Sequence, residues 1–107
     1  MKDICFNDGT TQKATIKVEG YAPFDIEYKI PNGAALLTLG MELENSASND
    51  EINERRGHVV VWFIVKHLIS WTLSPAITKE SIQSLSDAEI ISAMFLAIRK
   101  GGQQVKN

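Results

Sequence analysis

The residues that could do chemistry are few, and their spacing does not favour catalysis. The two histidines, His58 and His67, lie nine positions apart, whereas the zinc motif H-x-x-x-H places its histidines one helical turn apart. Cys5 is the single cysteine, and neither a base nor a helix N-terminus accompanies it in the sequence. We therefore expect solvated or capping histidines and a small packing cysteine.

A cluster of four charged residues is the other candidate for a reactive site. It consists of Glu51, Glu54, Arg55 and Arg56, and this spacing on a helix is typical of local ion pairs on a solvated face. The chain contains no phosphate-binding loop, dinucleotide-binding fingerprint or nucleophile elbow. The sequence thus predicts a protein that is not an enzyme and that needs no metal or cofactor.

Composition limits the remaining classes of protein to which the chain could belong. The 107 residues are 44% apolar and 22% charged, with a net charge of −2, which fits one globular domain. This charge gives no basic footprint for nucleic acid and no polybasic membrane patch. We expect a single domain over 1–107, with residues 1–12 and 101–107 loosely ordered.

Membrane and secretory signals are also missing from the sequence pattern. Residues 1–9 have no apolar core and carry Asp3, unlike a signal peptide. The longest apolar run, residues 59–65, has seven members, whereas a membrane helix needs about 20. One cysteine excludes an intramolecular disulfide framework. We expect the chain to stay soluble where it is made.

Alternating residues predict a β-hairpin near the N-terminus. Apolar positions recur at every second residue in two runs on either side of a turn with Gly20 and Pro23, which is typical of half-buried strands. The first run contains Ala14, Ile16 and Val18, and the second contains Phe24, Ile26, Tyr28 and Ile30.

Helices are predicted for the rest of the chain. Residues 34–44 are rich in helix formers. A long helix is expected from residue 50 to about residue 71, with Ser48 as its N-cap, although the β-branched residues in 59–65 leave a buried strand as the alternative there.

Two more helices complete the prediction. Thr78 can cap a short helix that ends near residue 85. The last helix is expected over 87–100, begun by a capping box from Ser86 to Glu89 and ended by Gly101 and Gly102. The predicted class is α+β, with an N-terminal hairpin packed on three to four helices, of which one is long and central.

The long helix carries more apolar residues than a core face needs. At about 100° per residue, its predicted core face consists of Val60, Val61, Ile64, Val65, Leu68 and Trp71. On the last helix, Leu96 stands off the apolar stripe. Aromatic residues among polar ones are typical of protein interfaces. The residues predicted to form a protein-interaction site are Val59, Trp62, Phe63, Lys66 and Leu96. The alternative is a central helix that is covered on both sides.

The order of these parts resembles a known family. The segments IPNG, ISWTLSP and ITKESIQSLSDAEIISAMFLAI follow one another between residues 30 and 98. They resemble the tail assembly chaperones of long-tailed bacteriophages and prophages, in which a tryptophan closes a helix and T-x-E-x-[IL]-x-x-L leads into an amphipathic helix. The matching positions here are Trp71, Pro75, Thr78, Glu80, Ile82 and Leu85.

The resemblance implies a non-enzymatic function. Such chaperones are small cytoplasmic proteins that self-associate, coat the tape measure protein and recruit tail tube subunits. The resemblance therefore implies a homo-oligomer with protein clients, without nucleic acid, membrane or cofactor. A structural tail or baseplate-associated subunit, and an immunity-like protein that binds one partner one-to-one, remain as alternatives.

Overall fold

The predicted alternation builds a β-hairpin. The computed structural model describes residues 9–44 and 49–103, with backbone alone for 49–56, 102 and 103. Strand β1 (Thr11–Ile16) pairs antiparallel with β2 (Phe24–Lys29), and Ala14 lies opposite Ile26. The structure confirms the hairpin, but β1 begins at Thr11, so part of the segment expected to be loose belongs to the sheet.

The loop of the hairpin turns at Gly20. The Tyr21 amide donates to the Val18 carbonyl at 3.1 Å, and Gly20 has a φ of 89°. This left-handed conformation at the third residue of a turn favours glycine. The Tyr21 hydroxyl then donates to Asp87 Oδ2 at 3.1 Å, which joins the loop to the C-terminal half of the chain.

A third strand replaces the predicted end of the long helix. Helix α2 (Asn49–His67) stops at His67, and β3 (Leu68–Trp71) pairs antiparallel with β2. The expected helix to residue 71 is therefore wrong. The hairpin leaves β2 with an open edge, and pairing satisfies the backbone groups of that edge. The sheet order is β1-β2-β3.

A bulge interrupts the pairing of β3. Tyr28 pairs with Leu68 and Glu27 pairs with Ser70, so Ile69 is the extra residue on its strand. Such an insertion changes which side chains share a face. As a result, Leu68 is buried while both Ile69 and Ser70 are exposed.

Four helices complete the fold over residues 9–44 and 49–103. They are α1 (Gly33–Glu44), α2, α3 (Lys79–Gln83) and α4 (Ala88–Gln103). Residues 59–65 are helical, so the alternative of a buried strand there is wrong. Helix α2 packs against α1, α3 and α4, while α4 also packs against β1. The proposed Ser48 N-cap lies outside the described residues.

The helix starts differ in their caps. Thr78 caps α3 as predicted, and its side chain accepts from the Ser81 amide at 3.0 Å. Helix α4 does not start with the predicted box at Ser86. Instead, Asp87 Oδ1 accepts from the Glu89 amide at 2.9 Å, because the carboxylate next to the first turn reaches the free amide.

Gly101 does not end α4. The helix continues to Gln103, and Gly101 is buried. A Cβ at this position would lie 3.0 Å from Cε2 and Cζ of Tyr28 and closer still to its hydroxyl. Glycine is therefore explained by the close approach of β2, and the predicted stop is wrong.

The core lies between the sheet and the helices, so the α+β class is confirmed. Most of its members are aliphatic, and Tyr28 and Phe63 are the largest fully buried side chains. No helix in the described part of the chain is long and apolar enough to cross a membrane. The buried apolar cluster consists of Ile16, Ile26, Tyr28, Ile30, Leu39, Val59, Val61, Phe63, Ile64, Leu68, Ile82, Met94, Phe95 and Ile98.

Candidate protein-interaction surface

Over residues 58–67, the part of α2 whose side chains the structure describes, the helix has one exposed face, and it carries two large apolar side chains. The exposed residues His58, Trp62, Val65 and Lys66 fall within an arc of about 100° around the helix axis. The opposite arc is buried and includes Val59, Val61, Phe63, Ile64 and His67. We call the four exposed residues the α2 face.

Two predicted site residues belong to the core instead. Phe63 is 0% exposed and Val59 is 8% exposed, so the expectation that they lie on an open face is wrong. The Phe63 ring packs edge-on against Phe95 of α4, with centroids 5.6 Å apart. Since α4 covers this side of α2, the alternative of a helix covered on both sides holds for Phe63 but not for Trp62.

Trp62 and Lys66 meet on the α2 face. Trp62 is 40% exposed, and Lys66 Nζ lies 5.2 Å from the centroid of its ring. This is a cation–π geometry, and one turn of helix separates the two residues. Both predicted residues are therefore available at the surface and contact each other.

Val65 is the residue of this face that the sequence prediction missed. The helical wheel predicts Val65 on the core face, but the residue is 36% exposed. A signal for its position was present in the sequence, because Trp62, Val65 and Lys66 share one face with His58 at helical spacing. The polar residues His58 and Lys66 mark that face as the solvent side.

Other exposed apolar residues lie outside α2. Leu96 is 58% exposed on α4, as predicted. Leu37 and Met41 are exposed at neighbouring turns of α1, and Ile69 is exposed at the bulge of β3. Leu37, Met41 and Ile69 are not among the residues predicted from the sequence to form the interaction site. Their spacing of one turn could have identified the α1 pair.

His67 occupies a polar position inside the core. Its Nδ1 donates to the Phe63 carbonyl at 2.8 Å, and the Phe63 ring lies 4.4 Å from its own ring. Burial lowers the pKa of His67 below its usual value, and the charges of Lys66 and Lys29 lower it further, against the opposing effect of the Phe63 bond. His67 is thus a neutral, hydrogen-bonded side chain at neutral pH.

The described residues hold little that could bind a metal. Among residues 9–44 and 49–103, no group of three His, Cys, Asp or Glu side chains is placed to hold an ion. Cys5 lies outside the described residues, and the side chains of Glu51, Glu54, Arg55 and Arg56 are likewise outside them. Of the features described, apolar surface offers the better candidate for a functional site.

Exposed apolar side chains on a core helix can bury area against another protein. Tryptophan is enriched among the anchors of such contacts because it buries a large apolar area, and polar residues form the rim around such anchors. Comparisons of the chain with protein-family models, with curated proteins and with solved structures give no significant match.

Proposed function

We propose that this protein is a non-enzymatic protein-binding module that self-associates and binds an apolar protein client. The observation that carries the proposal is the α2 face, where Trp62 and Val65 are exposed although the same helix buries Phe63 and Ile64 in the core. A helix that is apolar on both sides needs a second partner to cover its outer side.

The proposed mode of binding is a helix packed against a helix. Trp62 and Val65 are one turn apart, so they can enter the groove of an amphipathic client helix as paired anchors. Lys66 and His58 flank them and favour a client that is polar or acidic beside its apolar stripe. Leu37 and Met41 of α1 and Leu96 of α4 are further exposed apolar side chains that a client could contact.

The more specific form of the proposal is a phage or prophage tail assembly chaperone. It rests on the resemblance of residues 24–98 to that family. The clients would be the tape measure protein and the tail tube subunits, in the cytoplasm of the bacterial host. A long helical client offers many apolar stripes, which suits a binder whose contact surface is itself helical.

The α2 face can be tested without disturbing the core. Trp62→Asp with Val65→Asp places two charges on exposed positions, so we expect oligomers in light scattering to disappear while helical circular dichroism is retained. Gln83→Asp, on the exposed side of α3, adds a charge elsewhere and should leave the oligomer intact. A wild-type protein that is monomeric at every concentration and captures no client would contradict the proposal.

The client is tested by co-expression with a phage tape measure protein. We expect the wild-type chain to co-purify with it and the double variant to be lost. Mass spectrometry of purified particles separates the alternatives, because a chaperone leaves the assembled tail whereas a structural or baseplate-associated subunit stays in it.

A further inference from the structure

An Asn-Gly pair lies where α1 begins. Of the six asparagines in the sequence, Asn32 alone is followed by glycine, at Gly33. The side-chain carbonyl carbon of an asparagine can be attacked by the backbone nitrogen of the next residue, which closes a cyclic imide. A side chain on that next residue shields its nitrogen, whereas glycine has no Cβ and permits close approach. The pair therefore has the composition of a site for spontaneous deamidation.

Asn32 and Gly33 are both open to water. Each residue is exposed, and a Cβ at Gly33 would meet nothing within 4 Å. Within residues 9–44 and 49–103, the Gly33 amide donates no hydrogen bond, as expected for the first amides of a helix. The attacking nitrogen is thus neither shielded nor engaged.

The start of α1 also favours the negative charge that develops in this reaction. Asn32 Oδ1 accepts from the Ala35 amide at 2.9 Å, and the amides at a helix N-terminus carry partial positive charge. Attack on Cγ moves negative charge onto Oδ1, where such donors stabilise it as in an oxyanion hole. The Ala35 bond is the one hydrogen bond of the Asn32 side chain in the described part of the chain, so little restrains its rotation toward the Gly33 nitrogen.

We propose that Asn32 is a modification site, at which the folded chain deamidates through a cyclic imide formed with Gly33. The Gly33 nitrogen loses its proton to solvent and bonds to Cγ of Asn32, and the bond from Cγ to Nδ2 breaks as ammonia leaves. Water then opens the imide at either of its carbonyl carbons, so aspartate and isoaspartate are formed. Each product consumes one water and releases one ammonia, and neither an oxidant nor a reductant takes part.

The two products should affect α1 in opposite ways. The aspartate keeps the main chain and places a negative charge at the cap, which suits a helix N-terminus. Asn32 lines a cleft together with Lys29, so a positive charge lies near the new carboxylate. Isoaspartate routes the main chain through Cγ, and the carbonyl that accepts from the Leu36 amide at 3.1 Å then leaves the main chain. We therefore expect the aspartate product to be the more stable.

The test is incubation of the purified full chain in slightly alkaline buffer made with heavy-oxygen water, followed by digestion and mass spectrometry. Peptides modified during the incubation gain the mass difference between an amide and a carboxylate and carry the heavy oxygen. We expect Asn32 to be modified several-fold faster than any other asparagine, with both products separated by chromatography. A rate at Asn32 that does not exceed the others, or modification in the urea-unfolded chain alone, would overturn the proposal.

Gly33→Ala tests the attacking nitrogen. The methyl group shields this nitrogen, and the open space around Gly33 accommodates it, so we expect an intact fold and a several-fold slower reaction at Asn32. Gly40→Ala is the matched control, because it adds the same methyl group to the same helix, also in open space, and leaves the nitrogen bare. Its rate should stay close to that of the wild type. Equal slowing in both variants would contradict attack by Gly33.

Asn32→Asp reproduces one product. It should keep the helical circular dichroism and unfold at a urea concentration no lower than the wild type, whereas a sample enriched in isoaspartate should unfold at a lower one. A lower midpoint for Asn32→Asp would contradict the effect assigned to the aspartate. The site lies outside the α2 face, so failure here is distinct from failure of the proposed function.

Discussion

Gly101 of α4 and Tyr28 of β2 are in direct contact, and the Cβ of any other residue at 101 would overlap the tyrosine hydroxyl. The last turn of the last helix therefore packs against the central strand of the sheet. Since Tyr28 is 1% exposed, the tyrosine has no free space into which it can move. This contact is the sharpest steric constraint that the described glycines reveal.

Gly101→Ala should destabilise the protein by about 1–3 kcal/mol, as expected for overpacking in a core. Urea unfolding measures the loss. Gly40→Ala is the matched control, because Gly40 is also helical and a Cβ there meets nothing within 4 Å. It should stabilise the protein by about 0.5–1 kcal/mol. Tyr28→Phe should recover part of the loss in the double variant, and additive effects would contradict this explanation.

Phe63→Ala and Trp62→Ala should differ sharply although the residues are adjacent. Phe63 is enclosed and contacts Phe95, so its truncation should cost about 3–5 kcal/mol in the free energy of unfolding. Trp62 is partly exposed, and its truncation should cost within about 1 kcal/mol. Thermal or urea unfolding monitored by circular dichroism gives both values. Equal losses would mean that Trp62 is part of the core.

Gln12→Met should stabilise the protein by about 1 kcal/mol. Gln12 lies opposite Tyr28 in the hairpin, and its Oε1 is buried without a hydrogen-bond partner in the part of the chain that the structure describes. Removing an unsatisfied polar atom while keeping the side-chain length removes a desolvation cost. Lys13→Met, on the exposed side of the same strand, should leave urea stability nearly unchanged. A loss of stability in Gln12→Met would contradict this prediction, because it would mean that the Gln12 amide makes a stabilising interaction.

Acid should weaken the fold through His67. The pKa of His67 in the folded state lies below 6.5 because of burial and the nearby lysines, whereas the unfolded chain titrates at the ordinary value. Between these two pKa values the unfolded state binds more protons, so the free energy of unfolding falls as the pH drops below 6.5 and levels off below the folded-state pKa.

Urea titrations at several pH values measure this slope. His67→Gln should lower stability throughout, because the buried side chain and its bond to the Phe63 carbonyl are altered, and it should remove the part of the slope just below 6.5. An unchanged slope in the variant would assign the pH dependence to other groups.

The hairpin was predictable because only one pairing of the two alternating runs places their apolar residues on the same face. Ala14, Ile16 and Ile26 share a face only if the two runs pair as strands, and a shift by one residue would turn them outward. Strand β3 was not predictable, since Leu68 and Trp71 are spaced as in a helix. Whether residues 68–71 form a helix or a strand depends on the open edge of β2, which is distant from them in the sequence.

Only part of the candidate surface could be predicted from the sequence. Seven consecutive apolar residues, 59–65, provide no contrast between the two sides of a helix, so a wheel drawn from apolar residues alone misplaced Phe63 and Val65. The flanking polar residues His58 and Lys66 carry the missing contrast.

Helices α4 and α1 differ in how many side chains they bury in the core. Helix α4 buries four large side chains, Ile90, Met94, Phe95 and Ile98. Tyr21 donates to Asp87, just before the first turn of α4, and Tyr28 contacts Gly101 in its last turns. Helix α1 has one fully buried side chain, Leu39. Its amides should exchange with deuterated solvent through a sub-global opening that leaves the sheet and α4 protected. We therefore expect the chain to release α1 at a lower free energy than it needs to unfold as a whole.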